Sequence, residues 1–198
     1  METSPLRRRR AQRGFTLIET LIAMVILCIG LLSLAGLMSR TLIGSNQSRY
    51  ISQATSLATE KLEDMNRFPS NAPDVGAGGS LTTDQTSPDG TIFYYDNVQV
   101  STTNGVISEV RNSSTCATGY DVFSHSIVSG STQVSDQCAT PPTVTPDSLV
   151  YHRRWLIESP VTLNGNSISS VRRVTVWVQL QTTTAGVPVT FQMSAIRP

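Results

Sequence analysis

A run of 24 residues near the start of the chain, Phe15–Met38, contains a single charged side chain, Glu19. As one α-helix this run would be about 36 Å long, which is enough to cross a hydrocarbon core of about 30 Å. The sequence therefore predicts that residues 15–38 span a membrane.

Charge is distributed unevenly on the two sides of this segment. Residues 1–14 hold five arginines and one acid, whereas the remaining 184 residues hold 10 basic and 13 acidic side chains. Because positive charge stays on the cytoplasmic side, the N-terminus is predicted to be cytoplasmic and everything after Met38 to lie outside. An acidic balance in the exported part argues against a nucleic-acid partner, and none is expected.

Three kinds of processing compete at this segment. A secretory signal peptide would be cut at residues 33–35 (Ser-Leu-Ala), but the apolar run before them is unusually long and contains a carboxylate. A lipoprotein signal ending at Cys28 would need a small residue where Leu27 stands. Cleavage between Gly14 and Phe15 explains what the others do not, an acid at the fifth residue after the cut.

The residues around that junction, Arg-Gly-Phe-Thr-Leu-Ile-Glu at positions 13–19, resemble the type IV prepilin motif. In that family a prepilin peptidase cuts after the glycine on the cytoplasmic face and methylates the new amine. The resemblance covers roughly residues 8–40, with weaker similarity to about residue 67. Its continuation at 29–37, Ile-Gly-Leu-Leu-Ser-Leu-Ala-Gly-Leu, is most similar to PilV-type minor pilins, and minor pseudopilins of type II secretion share much of the motif.

The resemblance implies a processing site at Gly14 and Phe15 and a role in assembly for Glu19. A charged side chain at the centre of a membrane helix costs about 2.5–3.5 kcal/mol, but Glu19 lies near the end of the segment, where the cost is lower. Once helices pack together away from water, the carboxylate needs a cation. The α-ammonium of Phe15, its own or that of a neighbouring subunit, is the natural candidate.

Helical periodicity continues beyond the membrane segment. Apolar residues recur at spacings of 3, 4, 4 and 3, which indicates an amphipathic helix: Ile51, Ala54, Ala58, Leu62 and Met65. The charged residues between them are expected on the solvated face: Glu60, Lys61, Glu63, Asp64 and Arg67. Pro69 predicts that the helix ends at about Phe68, so that one helix occupies residues 15–68.

After the helix the composition changes. Residues 69–90 are rich in proline and glycine and are expected to form a connecting loop, and residues 71–198 contain 35 Ser or Thr and no lysine. Residues 91–198 are predicted to form a β-rich head from six strands: Thr91–Val100, Val106–Val110, Tyr120–Val128, Leu149–Glu158, Val171–Gln181 and Val187–Ile196. The last two form a hairpin through Thr182–Gly186, with Pro188 suited to an edge strand. We expect an α+β, pilin-like fold whose antiparallel sheet of four to six strands packs on the amphipathic half of the helix.

The head shows no pattern typical of catalysis. His125 and His152 are isolated and are expected to be structural or surface residues, so no metal site, cofactor or enzymatic activity is expected. Asp84 and Asp89 faintly suggest a calcium loop, but a turn at Pro88-Asp89-Gly90 explains these residues without an ion.

Cys116 and Cys138 are the two cysteines of the exported head. Because such a head matures in an oxidising compartment, we predict that they form a disulfide. The alternative is two free, partly buried thiols.

These observations predict a minor pilin-type structural subunit of a type IV pilus, assembled through its hydrophobic N-terminal helix. Its partners would be the prepilin peptidase, other pilin subunits through helix packing, and the inner membrane. The head would be periplasmic before assembly and in a surface fibre afterwards. Two alternatives stay open: a type II secretion minor pseudopilin, and a membrane-tethered periplasmic binding protein or adhesin that needs no cleavage at Gly14.

Overall fold

The computed structural model describes residues 16–101, 105–113, 115–126, 135–145, 148–181 and 188–198. The chain divides into two compact units, with the boundary between Ser45 and Asn46. One helix, α1 (Leu17–Arg67), contributes residues to both units. The predicted leader, residues 1–14, and Phe15 lie outside the described residues.

Strands make up most of the second unit. A 3-10 helix, Pro73–Val75, follows α1. The strands of the described residues are β1 (Gly78–Gly79), β2 (Tyr95–Ser101), β3 (Val106–Asn112), β4 (Tyr120–Ser126), β5 (Ser135–Gln137), β6 (Ser148–Glu158), β7 (Val161–Leu163), β8 (Asn166–Ile168), β9 (Arg172–Leu180) and β10 (Thr190–Arg197).

These strands form one large antiparallel sheet in the order β10-β9-β6-β2-β3-β4-β5, with β1 also paired to β6. Strands β7 and β8 form a separate hairpin. The α+β class, with a long N-terminal helix on an antiparallel sheet, is confirmed. The sheet is larger than the four to six strands predicted, because β1 and β5 are too short to show an alternating pattern.

The predicted pairing of the last two strands is present. Strand β10 runs antiparallel to β9 from the pair Thr190–Gln179 to the pair Arg197–Arg172, and β10 lies at the edge of the described sheet. Pro188 precedes β10, where its missing N–H costs no ladder hydrogen bond. The predicted connection, residues 182–186, lies outside the described residues.

The core of the second unit lies between α1 and one face of the sheet. The helix contributes one buried face: Ala54, Leu57, Ala58, Leu62 and Met65. The sheet contributes alternate residues of β6 and β9, among them Tyr151, Trp155, Ile157, Val174, Val176 and Val178. Four of the five residues of the predicted helix stripe are therefore buried, whereas Ile51 is 39% exposed.

Lys61 does not lie on the solvated face where the sequence placed it. It belongs to the buried face of α1, and its side chain is only 10% exposed. The ammonium lies 4.2 Å from the centre of the Trp155 ring and 3.5 Å from Oδ2 of Asp96. Burial lowers the pKa of this ammonium despite the opposing attraction of Asp96.

Arg153 of β6 is the centre of a buried ion cluster formed with Asp96, Glu109 and Lys61. Its Nε and Nη2 donate to the two carboxylate oxygens of Asp96 at 2.9 and 2.7 Å, and Nη2 lies 2.7 Å from Oε1 of Glu109. Its Nη1 donates to the backbone oxygen of Leu57 in α1 at 3.0 Å. Arg153 and Asp96 are both fully buried, and the cluster joins four elements, α1, β2, β3 and β6.

The same cluster controls the ionisation of Glu109. Burial raises the pKa of this carboxyl, but the charges of Arg153 and Lys61 and a hydrogen bond from Arg153 outweigh burial and bring the pKa from 4.5 to about 2. Because the folded-state pKa lies below the unfolded one, this group stabilises the fold fully above about pH 4.5 and loses that contribution as the pH falls through about 2.

The end of α1 is held by the last strand. The helix ends at Arg67, one residue before the predicted end. The Arg197 guanidinium donates to the backbone oxygens of Met65 and Phe68, which the helix leaves without internal partners.

We predict that Arg153→Ala lowers the free energy of unfolding by about 3–5 kcal/mol, because it leaves two carboxylates buried without their main cation. The matched control is Arg173→Ala, which removes a pair with Glu158 whose side chains are 38% and 34% exposed and which should cost about 0–1 kcal/mol. Urea denaturation of the full chain in detergent, followed by tryptophan fluorescence, measures both. Equal losses in the two variants would contradict the importance given to the cluster.

Candidate functional site at the start of the helix

The site predicted from the sequence consists of Gly14, Phe15 and Glu19. Gly14 and Phe15 lie outside the described residues, so the cleavage site stays a prediction. Glu19 lies in the first turn of α1 and is exposed.

Within that turn the Glu19 side chain folds back towards the residue before the helix. Its Oε2 lies 3.4 Å from both the backbone N and the Oγ1 of Thr16, and either can donate to it. The backbone N–H of Glu19 donates to the Thr16 carbonyl oxygen at 3.0 Å. A Thr followed three residues later by Glu is the spacing of a capping box, in which the acid satisfies an amide that the helix leaves unpaired. The same spacing is readable in the sequence as Thr-Leu-Ile-Glu at positions 16–19, in addition to the assembly role predicted for Glu19.

Two properties of this turn determine what the Glu19 carboxylate can bind. The positive end of the helix dipole favours a negative charge in the first turn. Both bonds to Thr16 are long and exposed, so a stronger cationic donor could replace them at small cost. A free N-terminal amine next to Thr16 would be such a donor.

Residues 17–45 of α1 present a mostly apolar surface, in which Glu19 and Arg40 are the two charged residues. Large side chains here are half or more exposed, from Leu17 at 83% to Ile43 at 51%. This is the one helix among the described residues that is long and apolar enough to cross a membrane, and its most apolar 18-residue window has a mean hydropathy of 2.7. The apolar helix fits membrane anchoring.

Three hydroxyls in this stretch, those of Thr20, Ser33 and Thr41, donate to backbone oxygens of the helix. Thr20 donates to the Leu17 oxygen at 2.8 Å, and Ser33 donates to the Ile29 oxygen at 3.0 Å. A hydroxyl that bonds its own helix carries no unsatisfied donor into lipid. A Cβ at Gly30 or Gly36 would lie more than 4 Å from every atom outside the adjoining helix backbone, so no packing in the chain itself requires a glycine there.

In the described part of the head, the histidines predicted to be structural or surface residues do not form a metal site. The ring of His152 lies between Oδ1 of Asn97, at 2.6 Å from Nδ1, and Oδ1 of Asp84, at 2.8 Å from Nε2. This histidine is buried and joins segment 80–90 to the sheet. His125 lies in β4 opposite Ile107. No group of three His, Cys, Asp or Glu side chains in the described residues could hold a metal ion.

The two aspartates that suggested calcium have other partners. Slight burial raises the pKa of Asp84, but hydrogen bonds from Arg154 and His152 outweigh it, and the net pKa is lowered. Asp89 accepts from the Ser87 hydroxyl and the Thr91 amide, and Gly90 at φ 72° completes the predicted turn.

Comparison with known families identifies one match. A family model described as the prokaryotic N-terminal methylation motif matches residues 9–35. No curated protein and no solved structure matches the chain. The match supports a type IV prepilin-like protein, that is, a pilin-like or pseudopilin precursor, and implies processing by a prepilin peptidase and assembly with pilins.

The two cysteines of the head are adjacent in space. The structure joins Cys116 and Cys138 through their sulfur atoms, with Cα atoms 5.1 Å apart. Cys28, in the apolar part of α1, is exposed and has no disulfide partner among the described residues.

We predict that thiol labelling of the non-reduced, denatured protein modifies Cys28 alone and that reduction exposes two further thiols. Removing the bridge by Cys116→Ser with Cys138→Ser should cost about 3 kcal/mol, because it frees a loop of about 23 residues in the unfolded chain. Cys28→Ser serves as the control, since it removes a thiol that bridges nothing. Two reactive head cysteines without reductant would reject the pairing.

Proposed function

We propose that this chain is a minor pilin-type structural subunit of a type IV pilus, most similar to PilV-type minor pilins. A prepilin peptidase removes residues 1–14 and methylates the amine of Phe15. The helix then holds the subunit in the inner membrane with the head in the periplasm until it joins a fibre. The observation that carries this proposal is the methylation motif at residues 9–35, which includes the first part of an exposed apolar helix.

The mechanism is an exchange of surroundings for the apolar half of α1. In the membrane its side chains contact lipid, and in the fibre they contact other helices. When the helices pack together, lipid and water are excluded from between them. The Glu19 carboxylate then loses its solvent partners and depends on a cation. The weak bonds to Thr16 leave it free to accept from the Phe15 amine, its own or that of a neighbour.

The head supports this role by how α1 is attached to it. The second half of the helix is one wall of the core, and Arg153 and Arg197 both bond its backbone oxygens. A pull on the helix is therefore resisted by the sheet through charge-assisted bonds, of which that of Arg153 is buried. This is the property that a subunit of a fibre requires.

A minor pseudopilin of type II secretion is the second candidate, because the same motif serves both systems. Deletion of the gene separates them: loss of pili or motility supports the pilus, and loss of protein secretion supports the pseudopilin. The abundance of the chain in sheared fibres separates a minor from a major subunit. A membrane-tethered binding protein or adhesin would keep an intact Met1, whereas an N-methylated Phe15 in the mature N-terminal peptide supports a pilin.

We predict that Gly14→Val leaves the leader attached, because the peptidase needs close access to the backbone at the cut. The precursor should still enter the membrane, since its apolar segment is unchanged. Gly36→Val is the matched control: it adds the same side chain where the structure has open space, and its leader should be removed normally. Mass spectrometry of membrane fractions decides, and efficient removal of residues 1–14 from Gly14→Val would contradict the proposal.

We predict that Glu19→Ala leaves membrane levels and leader removal normal but strongly reduces recovery of the subunit in sheared fibres. The substitution removes the carboxylate that a neighbouring amine requires, and it lowers the cost of membrane entry. Glu19→Gln keeps the shape and tests charge alone.

Glu63→Ala is the control for this experiment, because it removes an exposed acid from the same helix outside the apolar segment. Wild type and variant are compared in cells that make both forms. Equal incorporation of Glu19→Ala and wild type would reject the role of Glu19.

A further inference from the structure

Arg40 is the one positively charged residue in the apolar part of α1, residues 17–45. Its side chain is exposed, and no hydrogen bond or ion pair joins it to another residue that the structure describes. The apolar side chains one turn before and one turn after it are exposed too, Leu37 at 65% and Ile43 at 51%. Arg40 therefore places an unpaired guanidinium in the middle of an apolar surface.

The separation of the two charges in this part of the helix matches the thickness of a membrane. Glu19 and Arg40 are 21 residues apart, which is about 32 Å along an α-helix, and a hydrocarbon core is about 30 Å thick. When Glu19 lies at one interface, Arg40 lies at the other, where water and lipid phosphates are partners for the guanidinium. In a single membrane-anchored subunit neither charge needs a partner from another chain.

Packing of the apolar helices removes these partners from Arg40. Lipid and water leave the surface around Leu37 and Ile43, and the guanidinium between them then needs an anion from the facing helix. An apolar helix of this kind carries one acid in residues 17–45, Glu19 in its first turn. The charge pattern of α1 is therefore complementary to that of a second helix built in the same way.

The two charges also lie on the same side of α1. A spacing of 21 residues is about 5.8 turns, so Glu19 and Arg40 are about 60° apart around the helix axis. At 3.5 residues per turn, the periodicity of closely packed parallel helices, the two positions coincide. Parallel helices turn the same face towards each other. A facing helix that is displaced by about 32 Å along the axis therefore brings its first-turn acid level with Arg40.

We propose that Arg40 binds the first-turn acid of a neighbouring pilin-type subunit that is displaced by about 32 Å along the helix axis. The partner is the start of an apolar helix with a carboxylate where α1 has Glu19. Helices in one membrane lie at the same depth, so this pair forms only when subunits are assembled. The inference rests on the proposed pilin-type role and adds to it a second charged residue and a displacement between subunits.

The pair with Arg40 is compatible with the amine of Phe15 as a partner of Glu19. A carboxylate has two oxygens and accepts several hydrogen bonds, and the bonds of Glu19 to Thr16 are long, 3.4 Å, and exposed. The amine comes from the same end of a helix as the acid, whereas the guanidinium comes from a position 21 residues further along. Only the guanidinium specifies how far one subunit is displaced from the next.

Arg40→Gln tests the pair by removing the charge from the apolar surface. We expect normal membrane levels and normal leader removal, but recovery in sheared fibres lower by about tenfold or more. Arg40→Lys keeps the charge and should be recovered nearly as well as wild type. Arg49→Gln is the matched control, because it makes the same change at an exposed arginine of α1 that lies beyond the apolar part. Wild type and variant are compared in cells that make both forms.

Equal recovery of Arg40→Gln and wild type would overturn the inference. Glu19→Ala distinguishes this failure from a failure of the pilin-type role. If Glu19→Ala is lost from fibres and Arg40→Gln is not, the role stands and the pair with Arg40 is rejected. An intact leader on the wild type, or its absence from fibres, would reject the role and the inference together.

Cross-linking then identifies the partner of position 40. The single native lysine, Lys61, is buried, so Arg40→Lys supplies an exposed lysine amine without a competitor. Dicyclohexylcarbodiimide, which enters apolar surroundings, joins this amine to a carboxylate in contact with it as an amide, and the reagent takes up the water that is lost. Sheared fibres and membranes from cells with this variant are treated and digested, and the linked peptides are identified by mass spectrometry.

We expect a link from position 40 to the first-turn acid of another subunit, in fibres and not in membranes. Within one helix positions 19 and 40 are about 32 Å apart, so such a link joins two subunits. Arg49→Lys is the control and should give no link to a first-turn acid, because it lies about 45 Å from the level of Glu19. Links from position 40 to other acids only, or none in fibres that contain the variant, would overturn the proposal.

Discussion

The head depends on the burial of one guanidinium. A charge that is taken out of water must find its hydrogen-bond acceptors in the protein, and Arg153 finds them on β2, on β3 and in the backbone of α1. Asp96 lies directly opposite Arg153 in the strand register, so a slip of one residue would turn the acid away from the arginine. The ion cluster thus specifies where β2 lies on β6 and where the helix lies on the sheet, while apolar contacts supply most of the stabilisation.

The two parts of α1 expose different kinds of surface. In residues 20–38 no side chain is charged and most are apolar and exposed, and hydroxyls such as that of Ser33 bond back to the helix. In the second unit the same helix buries only one face, and that face includes a lysine. The change coincides with the boundary between the two compact units near Ser45, so the two halves belong to different environments.

Much of this architecture could be predicted from the sequence because it follows from periodicity. The alternation of Val174, Val176 and Val178 determines which face of β9 is buried, and the motif at positions 13–19 identifies Glu19. What could not be predicted depends on contacts between distant parts of the chain. Lys61 was assigned to solvent because a charge alone favours water, and only the sheet order brings Asp96 and Trp155 to it.

The burial of Lys61 has a practical consequence for chemical probing. It is the single lysine of the sequence, and its ammonium is covered by Trp155 and Asp96. Reagents that attack primary amines, including most lysine cross-linkers, therefore find almost no target on the folded head. Amine cross-linking would therefore miss the contacts between this chain and its neighbours in an assembly. Reagents directed at carboxylates suit the chain better, because they reach exposed acids such as Glu63.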